Sequence, residues 1–445
     1  MYSKLAPVLG SLALASLVSA VPVDVEKRDN GIWFGGRGSH LENYQNSNGA
    51  APSASYSGPA NGYYTPSATY GGGSYSTSAP PASYSGGYNG GHNGGGGSGS
   101  SDGSSNPFSF PLSNGFPNIQ NPSDQLTAIE AQAHGLLPNG PPPPTAPAAD
   151  DLTSLRLIAF NELWEVAFFT ELLYNVTHNV AGYQFQDESQ RQTVIDAITA
   201  VQAQEELHLL NANGALAHFN AGPIQPCKYV APVSDFKSAI GLAKTFTDVV
   251  LGTLGDVQTH FGQNGDNGLI RGVGAVMSQE GEQNGFYRNL LGLIPSGAPF
   301  LTASTREFAF SALNQGFVVQ GSCPNSNTIN LPIFGALNVL TQNIQPQDQT
   351  LQFSFSATGS YSQYANNYQG LSLVYINQQN VPVVEPITQA TVSGSTVTFS
   401  ANLPFTKNEM FGLTIAAVVE GSGPFASVAD VAAATKFGPG LIEIA

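Results

Sequence analysis

The feature that most constrains this chain is a helical pattern over residues 194–216 that places two ionisable side chains on an apolar stripe. The stripe consists of Val194, Ile198, Val201, Glu205, His208, Ala212 and Ala215. Intervals of three and four predict one face of an amphipathic helix, so the acid and the imidazole are expected to point inward. A buried carboxylate needs a hydrogen-bonding partner or a metal ion, because it loses its hydration. Glu205 and His208 are therefore candidate site residues.

Three further amphipathic helices are predicted around this one. The first has the stripe Leu155, Ala159, Glu162, Val166, Phe169 and Leu173, with Glu165 at its border; the third has Ala239, Leu242, Phe246, Val249, Thr253, Asp256 and His260; the fourth has Val273, Val276, Glu280, Gln283, Tyr287 and Leu290. The longest gap falls between the second and third helices. This arrangement predicts two helical hairpins forming a four-helix bundle over residues 151–295.

An inward Glu-x-x-His is also how some four-helix bundles hold a pair of metal ions bridged by carboxylates. The segments that carry this pattern are FNELWEVAFF, QEELHLL and SQEGEQNGFY. Residues 152–293 resemble the ferritin-like superfamily, in particular the secreted fungal ferritin-like proteins described as late-sexual-development or stress-response proteins. In that superfamily, helices one and three each give a glutamate, and helices two and four each give Glu-x-x-His. The resemblance implies metal ligands at Glu162, Glu205, His208 and Glu280.

The second half of the helical region departs from this family pattern. Gln283 stands where the resemblance expects histidine, and the glutamate expected on the third helix falls on or near Thr247. The weaker candidate ligands are Glu165, Gln283, Asp248 and Asp256. The remaining set suits one ion of Fe, Mn or Zn and is thin for two, since a neutral amide oxygen replaces imidazole poorly.

A metal-free polar core is the alternative to a metal site. In that core Glu205 would pair with His208, Glu162 would accept from Tyr287 or Trp164, and Glu280 would contact Gln283. The residues alone leave both readings open.

Beyond the helices the period of the pattern changes. Residues 346–445 contain LQFSFSA, LSLVYI, TVTFSA and FGLTIAAVV, in which apolar and polar residues alternate. Period two predicts strands, and Ser393-Gly394 predicts a tight turn ahead of one of them. With a short helix over 428–435 and a last strand over 441–444, this region is predicted to be a small antiparallel β module. Residues 296–345 are predicted to be a connecting segment.

The N-terminal part is predicted to be a leader followed by a disordered arm. Residues 1–20 have the charge, apolar run and small residues of a secretory signal peptide. Residues 21–150 are rich in Gly, Ser, Tyr and Pro and lack the aliphatic residues that a core needs. Lys27-Arg28 is either a processing site that would release residues 21–28 or an ordinary charged pair. The tyrosines would stack on cell-wall or matrix polysaccharide, cross-link, or belong to a plain spacer.

Charge and cysteine usage point to an extracellular protein, secreted and with a possible association with the cell wall. The formal net charge is −16 with only 14 Lys and Arg, which excludes nucleic acid and anionic membrane surfaces as partners. Cys227 and Cys323 are predicted to form one disulfide. Asn175 begins the N-glycosylation motif Asn-Val-Thr, expected just beyond the first helix.

Three functions follow as hypotheses. The first is a secreted ferritin-like protein that binds a metal ion at an altered site and acts in fungal development or stress response. The second is a metal-free structural protein of the cell wall or matrix. The third, an oxidase or manganese-catalase-like enzyme, needs two ions and is least supported, so the sequence favours a protein without enzymatic activity. It does not indicate an oligomeric state.

Overall fold

The computed structural model describes residues 109–445. The predicted signal peptide, the segment 21–28 and the arm up to residue 108 lie outside the described residues. The helices of the described region are α1 (Asp124–Ala133), α2 (Ala149–Thr177), α3 (Glu188–His218), α4 (Phe236–Asn264), α5 (Ile270–Leu290), α6 (Arg306–Gly316), α7 (Phe405–Asn408) and α8 (Val428–Ala434). The strands are β1 (Leu337–Val339), β2 (Gln349–Ser356), β3 (Leu371–Asn377), β4 (Val383–Pro386), β5 (Thr388–Ser393), β6 (Thr396–Leu403), β7 (Gly412–Glu420) and β8 (Thr435–Ile444).

The long helices α2 to α5 lie where the apolar stripes predicted them. Helix α2 packs against α3, α4 packs against α5, and α2 also contacts α4. Their ends carry local signals: Asp187 accepts from Ser189 N at the start of α3, and Asp235 and Ser238 form a capping box at the start of α4. An aromatic core joins the helices, in which Trp164 stacks on Phe317 with ring centroids 4.3 Å apart. Helices therefore account for most of the regular secondary structure of the described region, and the β structure lies at its C-terminal end.

Residues 109–148 are ordered, so the predicted disordered arm is wrong for this stretch. Phe116 is fully buried in the helical core, and Leu126 and Ile129 of α1 pack against Ala203 and Leu207 of α3. The average composition of residues 21–150 does not reveal these contacts. A few apolar side chains are enough to hold a segment against a helix that already presents an apolar surface.

The disulfide between Cys227 and Cys323 is confirmed, with Cα atoms 4.2 Å apart and a sequence separation of 96. It joins the segment after α3 to the segment after α6. Closing a loop of this length stabilises the folded state by about 4–5 kcal/mol in the chain-entropy model.

Asn175 lies in the last turn of α2, which continues to Thr177, and not beyond the helix as predicted. Val176 is buried in the helical core and holds this turn in place. Glycosylation at Asn175 stays a prediction.

The predicted strands at 351, 371, 397 and 411 are confirmed as parts of β2, β3, β6 and β7. They belong to two antiparallel sheets with the strand orders β1-β2-β6-β5 and β4-β3-β7-β8. The predicted turn joins β5 to β6, where Gly394 has a φ of 61° that favours glycine. The last strand begins at Thr435 instead of Leu441, directly after α8. Phe353 of one sheet lies 6.4 Å from Tyr375 of the other, measured between ring centroids, so apolar faces meet between the sheets.

The pattern did not predict α6 or the short strands β1, β4 and β5. Helix α6 lies in the predicted connecting segment and buries Phe308 and Phe310. Phe308 belongs to an apolar cluster that contains Val249 of α4 and Ile415 of β7, so this segment joins helices to sheet. Within the described residues, no helix is long and apolar enough to cross a membrane.

Candidate metal centre

Helices α2, α3 and α5 bring together the four residues with the strongest ligand pattern. Each of Glu162, Glu205, His208 and Glu280 offers one ligand atom, and these atoms all lie within 4.8 Å of one another. Glu205 and His208 share a face of α3 because residues three apart are neighbours on a helix. We call these four residues the acidic cluster.

The acidic cluster is closed to solvent except at the imidazole. Glu162 and Glu280 are each 1% exposed and Glu205 is 0% exposed. The His208 side chain is 14% exposed. His208 is therefore the edge at which water or an ion reaches the cluster.

Hydrogen bonds satisfy only part of the cluster. His208 Nδ1 lies 2.7 Å from Glu205 Oε2, which confirms the predicted Glu205–His208 couple, and 3.6 Å from Glu162 Oε2. Within the described residues, Glu162 Oε2 and both carboxylate oxygens of Glu280 are buried without a hydrogen-bond partner. Buried oxygens of this kind lack the compensation that burial requires, and a donor or a cation would supply it.

The other contacts of the predicted polar core are wrong. The indole Nε1 of Trp164 has no hydrogen-bond partner among the described residues, and the Tyr287 hydroxyl donates to Gln283 Oε1 at 3.4 Å, so neither serves Glu162. The Gln283 amide donates to Glu205 Oε1 at 2.6 Å and leaves Glu280 unpaired. The reason is geometric: the amide reaches across to α3 instead of back along its own helix.

Burial and mutual repulsion weaken two acids of the cluster, Glu162 and Glu280. Burial raises the pKa of Glu162 to about 7, and the neighbouring His208 partly opposes this shift. Burial, followed by the charges of Glu162 and Glu205, raises the pKa of Glu280 well above its usual value. Burial lowers the pKa of His208, but the nearby charges of Glu205 and Glu162 and the hydrogen bond with Glu205 outweigh that effect and raise the pKa well above its usual value. The site therefore favours bound positive charge, either protons or a metal ion.

Two of the weaker candidates border the acidic cluster. Glu165 is 2% exposed, and burial followed by the charges of Glu205, Glu162 and Glu280 raises its pKa well above the usual value. It lies outside the group of ligand atoms within 4.8 Å. Gln283 touches the cluster through its amide nitrogen, which cannot bind a cation. Glu165 thus adds negative charge beside the cluster, and Gln283 adds a hydrogen-bond donor.

Asp248 and Asp256, two of the weaker predicted ligands, lie outside the acidic cluster and have other partners. Asp248 accepts from Asn284 Nδ2 at 2.8 Å and from Lys244 Nζ at 3.1 Å. Asp256 Oδ2 accepts from the Arg306 backbone N–H at 3.1 Å. Both acids lie on α4, and each accepts hydrogen bonds from groups outside the acidic cluster.

Two glutamines next to the ligands were missed by sequence reasoning. Gln204 Oε1 accepts from Gln279 Nε2 at 2.9 Å and from Gln283 Nε2 at 3.2 Å. A signal was present, since Glu205 and Glu280 are each directly preceded by glutamine in the sequence. These Gln-Glu pairs did not lead to a prediction, because helical spacing within one helix does not show that amides on two helices meet.

No protein-family model matches this chain, and no curated protein matches it significantly.

The chemistry of the donor set can be read from its atoms. Three carboxylates and one imidazole are ligands that Zn, Fe and Mn accept, at bonds of about 2.0–2.2 Å. Donors around one such ion lie at most about 4.4 Å apart, so a separation of up to 4.8 Å needs only small side-chain rotations to close. The acidic cluster could hold a metal ion.

Proposed function

We propose that this protein binds one transition metal ion, Fe, Mn or Zn, at Glu162, Glu205, His208 and Glu280. The observation that carries the proposal is the pair of buried Glu280 oxygens that have no hydrogen-bond partner among the described residues. A neutral carboxyl group would leave both oxygens uncompensated, and an ionised one would add to the repulsion from Glu162 and Glu205. A cation between the carboxylates removes both costs.

The charge balance supports the same conclusion. If all three carboxylates were ionised, they would outweigh the single imidazolium and leave an excess of negative charge in a closed site. Glu165 adds a further buried acid nearby. Buried charges persist in proteins when they are paired or bind a metal, so a divalent ion is the simplest neutralising partner. His208, at the exposed edge, would bind last and control exchange of the ion with solvent.

We propose that the helical half belongs to the ferritin-like superfamily, as a four-helix bundle with an altered centre. This proposal rests on the sequence resemblance, whose candidate ligands are one glutamate on α2, a Glu-x-x-His pair on α3 and one glutamate on α5. A bound Fe or Mn ion would supply a one-electron redox couple, and any of the three ions Lewis acidity. With one ion, metal binding in a secreted protein of fungal development or stress response is favoured over an oxidase or catalase activity.

A metal-free structural role in a cell wall or matrix is the second candidate, and one observation favours it. The hydrogen bonds from His208 to Glu205 and from Gln283 to Glu205 satisfy both oxygens of that acid without a metal. In this candidate Glu162 and Glu280 would be protonated, in keeping with the raised pKa values.

The test is the metal content and thermal stability of the secreted protein, with matched variants. Glu280→Gln removes a ligand, and Glu206→Gln is the control: Glu206 is a buried glutamate of α3 that Asn114 Nδ2 contacts at 2.9 Å and that lies outside the acidic cluster. We expect one ion per chain in the wild type and the control, and loss of the ion in Glu280→Gln. Chelation should lower the Tm of the wild type by about 5–15 °C, if binding at 1,000 times Kd contributes about 4 kcal/mol.

A metal-free wild-type protein would contradict the proposal. If the wild type carries no stoichiometric Fe, Mn or Zn, cannot be reconstituted and melts identically with and without a chelator, the metal-binding proposal is wrong and the structural candidate stands. Glu280→Gln should then stabilise the fold, since it removes a buried acid.

A further inference from the structure

A relay of side-chain amides runs from the segment around α1 to the acidic cluster. We infer that Gln283, oriented by this relay, is a positioning residue that restricts the centre to a single ion by holding Glu205 Oε1 in a hydrogen bond. The inference rests on the proposed function, since it concerns how many ions the site accepts.

The relay begins at a backbone carbonyl, which can only accept a hydrogen bond. Gln204 Nε2 donates to the carbonyl oxygen of Ala133 at 3.4 Å, so its Oε1 faces the other way. That oxygen accepts from Gln279 Nε2 and from Gln283 Nε2. The orientation of Gln204 thus follows from a group whose polarity is fixed.

The amide of Gln283 is held in one orientation from both sides. Its nitrogen lies 2.6 Å from Glu205 Oε1 and 3.2 Å from Gln204 Oε1, and an ionised carboxylate can only accept. Its oxygen accepts from the Tyr287 hydroxyl at 3.4 Å. A flipped amide would set oxygen against two acceptor oxygens. Gln283 therefore presents N–H groups to the cluster and keeps its only ligating atom turned toward Tyr287.

This orientation assigns the two oxygens of Glu205 to different tasks. Oε1 accepts from Gln283, whereas Oε2 lies 2.7 Å from His208 Nδ1, the atom that Glu162 Oε2 also approaches at 3.6 Å. A second ion that approached Glu205 Oε1 would meet the N–H groups of Gln283, whose partial positive charge repels a cation.

Helix α4 supplies no replacement ligand for a second ion. Thr247 stands at the position where the resemblance expects a glutamate, and the neighbouring Asp248 has both oxygens engaged by Asn284 and Lys244. The amide on α5 and the missing acid on α4 together leave the site mononuclear.

The test replaces the amide by groups of similar reach that can bind a metal. Gln283→Glu is nearly isosteric and turns the donor into a carboxylate; Gln283→His restores the second Glu-x-x-His. Gln190→Glu is the control, because Gln190 is an exposed residue of α3 that belongs neither to the relay nor to the acidic cluster. Each full-length protein is stripped of metal and titrated with Mn²⁺. Elemental analysis gives the number of ions, and electron paramagnetic resonance distinguishes an isolated Mn²⁺ ion from a spin-coupled pair.

We expect one isolated Mn²⁺ in the wild type and in Gln190→Glu, and two coupled ions in Gln283→Glu or Gln283→His. A purely structural role of Gln283 would change the melting temperature without changing the number of ions. Two ions in the wild type, or one ion in both Gln283 variants with circular dichroism like that of the wild type, would overturn the inference. If Gln283→Glu does not fold, Gln283→His alone decides whether the inference holds.

The same titration separates failure of the proposed function from failure of this inference. A wild type that binds no Mn²⁺, Fe or Zn contradicts both. One ion in every variant contradicts only the inference.

Discussion

Two buried acids of α2 illustrate how a single side chain responds to its neighbours. Glu162 shares its site with other carboxylates and a histidine, as described above. Asp151, in the first turn of α2, is 0% exposed and accepts from Asn264 Nδ2 at 2.9 Å. Its other oxygen has no hydrogen-bond partner among the described residues. Burial, followed by the nearby Asp266, raises the pKa of Asp151 to about 6. This carboxyl group should therefore set a measurable pH dependence outside the acidic cluster.

We predict that Asp151→Asn flattens the dependence of stability on pH between about pH 4 and pH 6. The folded protein keeps the Asp151 proton up to about pH 6, whereas the unfolded chain loses it near the ordinary aspartate pKa of 3.8. The stabilisation from the protonated form is thus fully present below about pH 4 and is lost as the pH rises through 6. Asparagine mimics the protonated acid at every pH, so the variant should be the more stable protein at pH 7.

Urea unfolding of both proteins at several pH values checks this prediction, with Asp124→Asn, an exposed acid in the first turn of α1, as the control. Parallel curves for wild type and Asp151→Asn would show that Asp151 does not titrate in this window.

At the scale of elements, one helix approaches the chain segment 302–304 so closely that only glycine fits. A Cβ atom on Gly252 of α4 would overlap the carbonyl oxygen of Thr302 and lie 2.8 Å from the backbone nitrogen of Ser304. Thr302 in turn donates its hydroxyl to the carbonyl of Leu413 in β7. Contact between α4 and the sheet region therefore depends on a missing side chain.

We predict that Gly252→Ala and Gly255→Ala, three residues apart on the same helix, have opposite effects. Alanine at 252 must push backbone atoms apart, which costs about 1–3 kcal/mol as other overpacked sites do. A Cβ at Gly255 meets nothing within 4 Å, so alanine there should stabilise the helix by about 0.5–1 kcal/mol. Free energies of unfolding from chemical denaturation decide the matter. Equal values for the two variants would mean that segment 302–304 yields at no cost.

For the whole molecule, a buried ionic group joins the helical region to the last strand. Lys244 of α4 donates to Glu443 of β8 and, at 3.1 Å, to Asp248. The side chains of Lys244 and Glu443 are 5% and 10% exposed. Burial raises the pKa of Glu443 to about 7, and the charge of Lys244 opposes that shift. The lysine is therefore the cation that lets two acids from distant parts of the chain stay buried.

We predict that Lys244→Met destabilises the protein by about 3–5 kcal/mol, because it leaves buried acids without their cation. Lys237→Met, at an exposed position of the same helix, serves as the control and should change stability by less than about 0.5 kcal/mol. Hydrogen exchange should show faster opening in both α4 and β8. A loss confined to α4, or a cost like that of the control, would show that this group does not join the two regions.

Much of the candidate centre was predictable because helical spacing is local. Glu162, Glu205, His208 and Glu280 lie on inward stripes of their own helices, and each stripe can be read within about four turns of sequence. The alternation in 351–355 and 397–401 predicted strands for the same reason, and two cysteines in a chain with a predicted secretory leader predicted one disulfide.

Partners distant in sequence were not predictable from any such pattern. The amide of Gln283 takes its direction from Gln204 and Ala133, and Asp248 takes Lys244 and Asn284 as partners instead of the acidic cluster. The order of residues 109–148 likewise depends on the apolar surface that α3 presents.

The sequence by itself therefore determined which side chains of this protein face inward, since periodicity is a property of neighbouring residues. Only the tertiary structure decided which of those acids meet one another and which meet a cation or an amide. It also decided that the carboxylate oxygens of Glu280 have no hydrogen-bond partner among the described residues. The physical reason is that hydrogen-bond direction and charge pairing depend on distances across helices, which no single stripe contains.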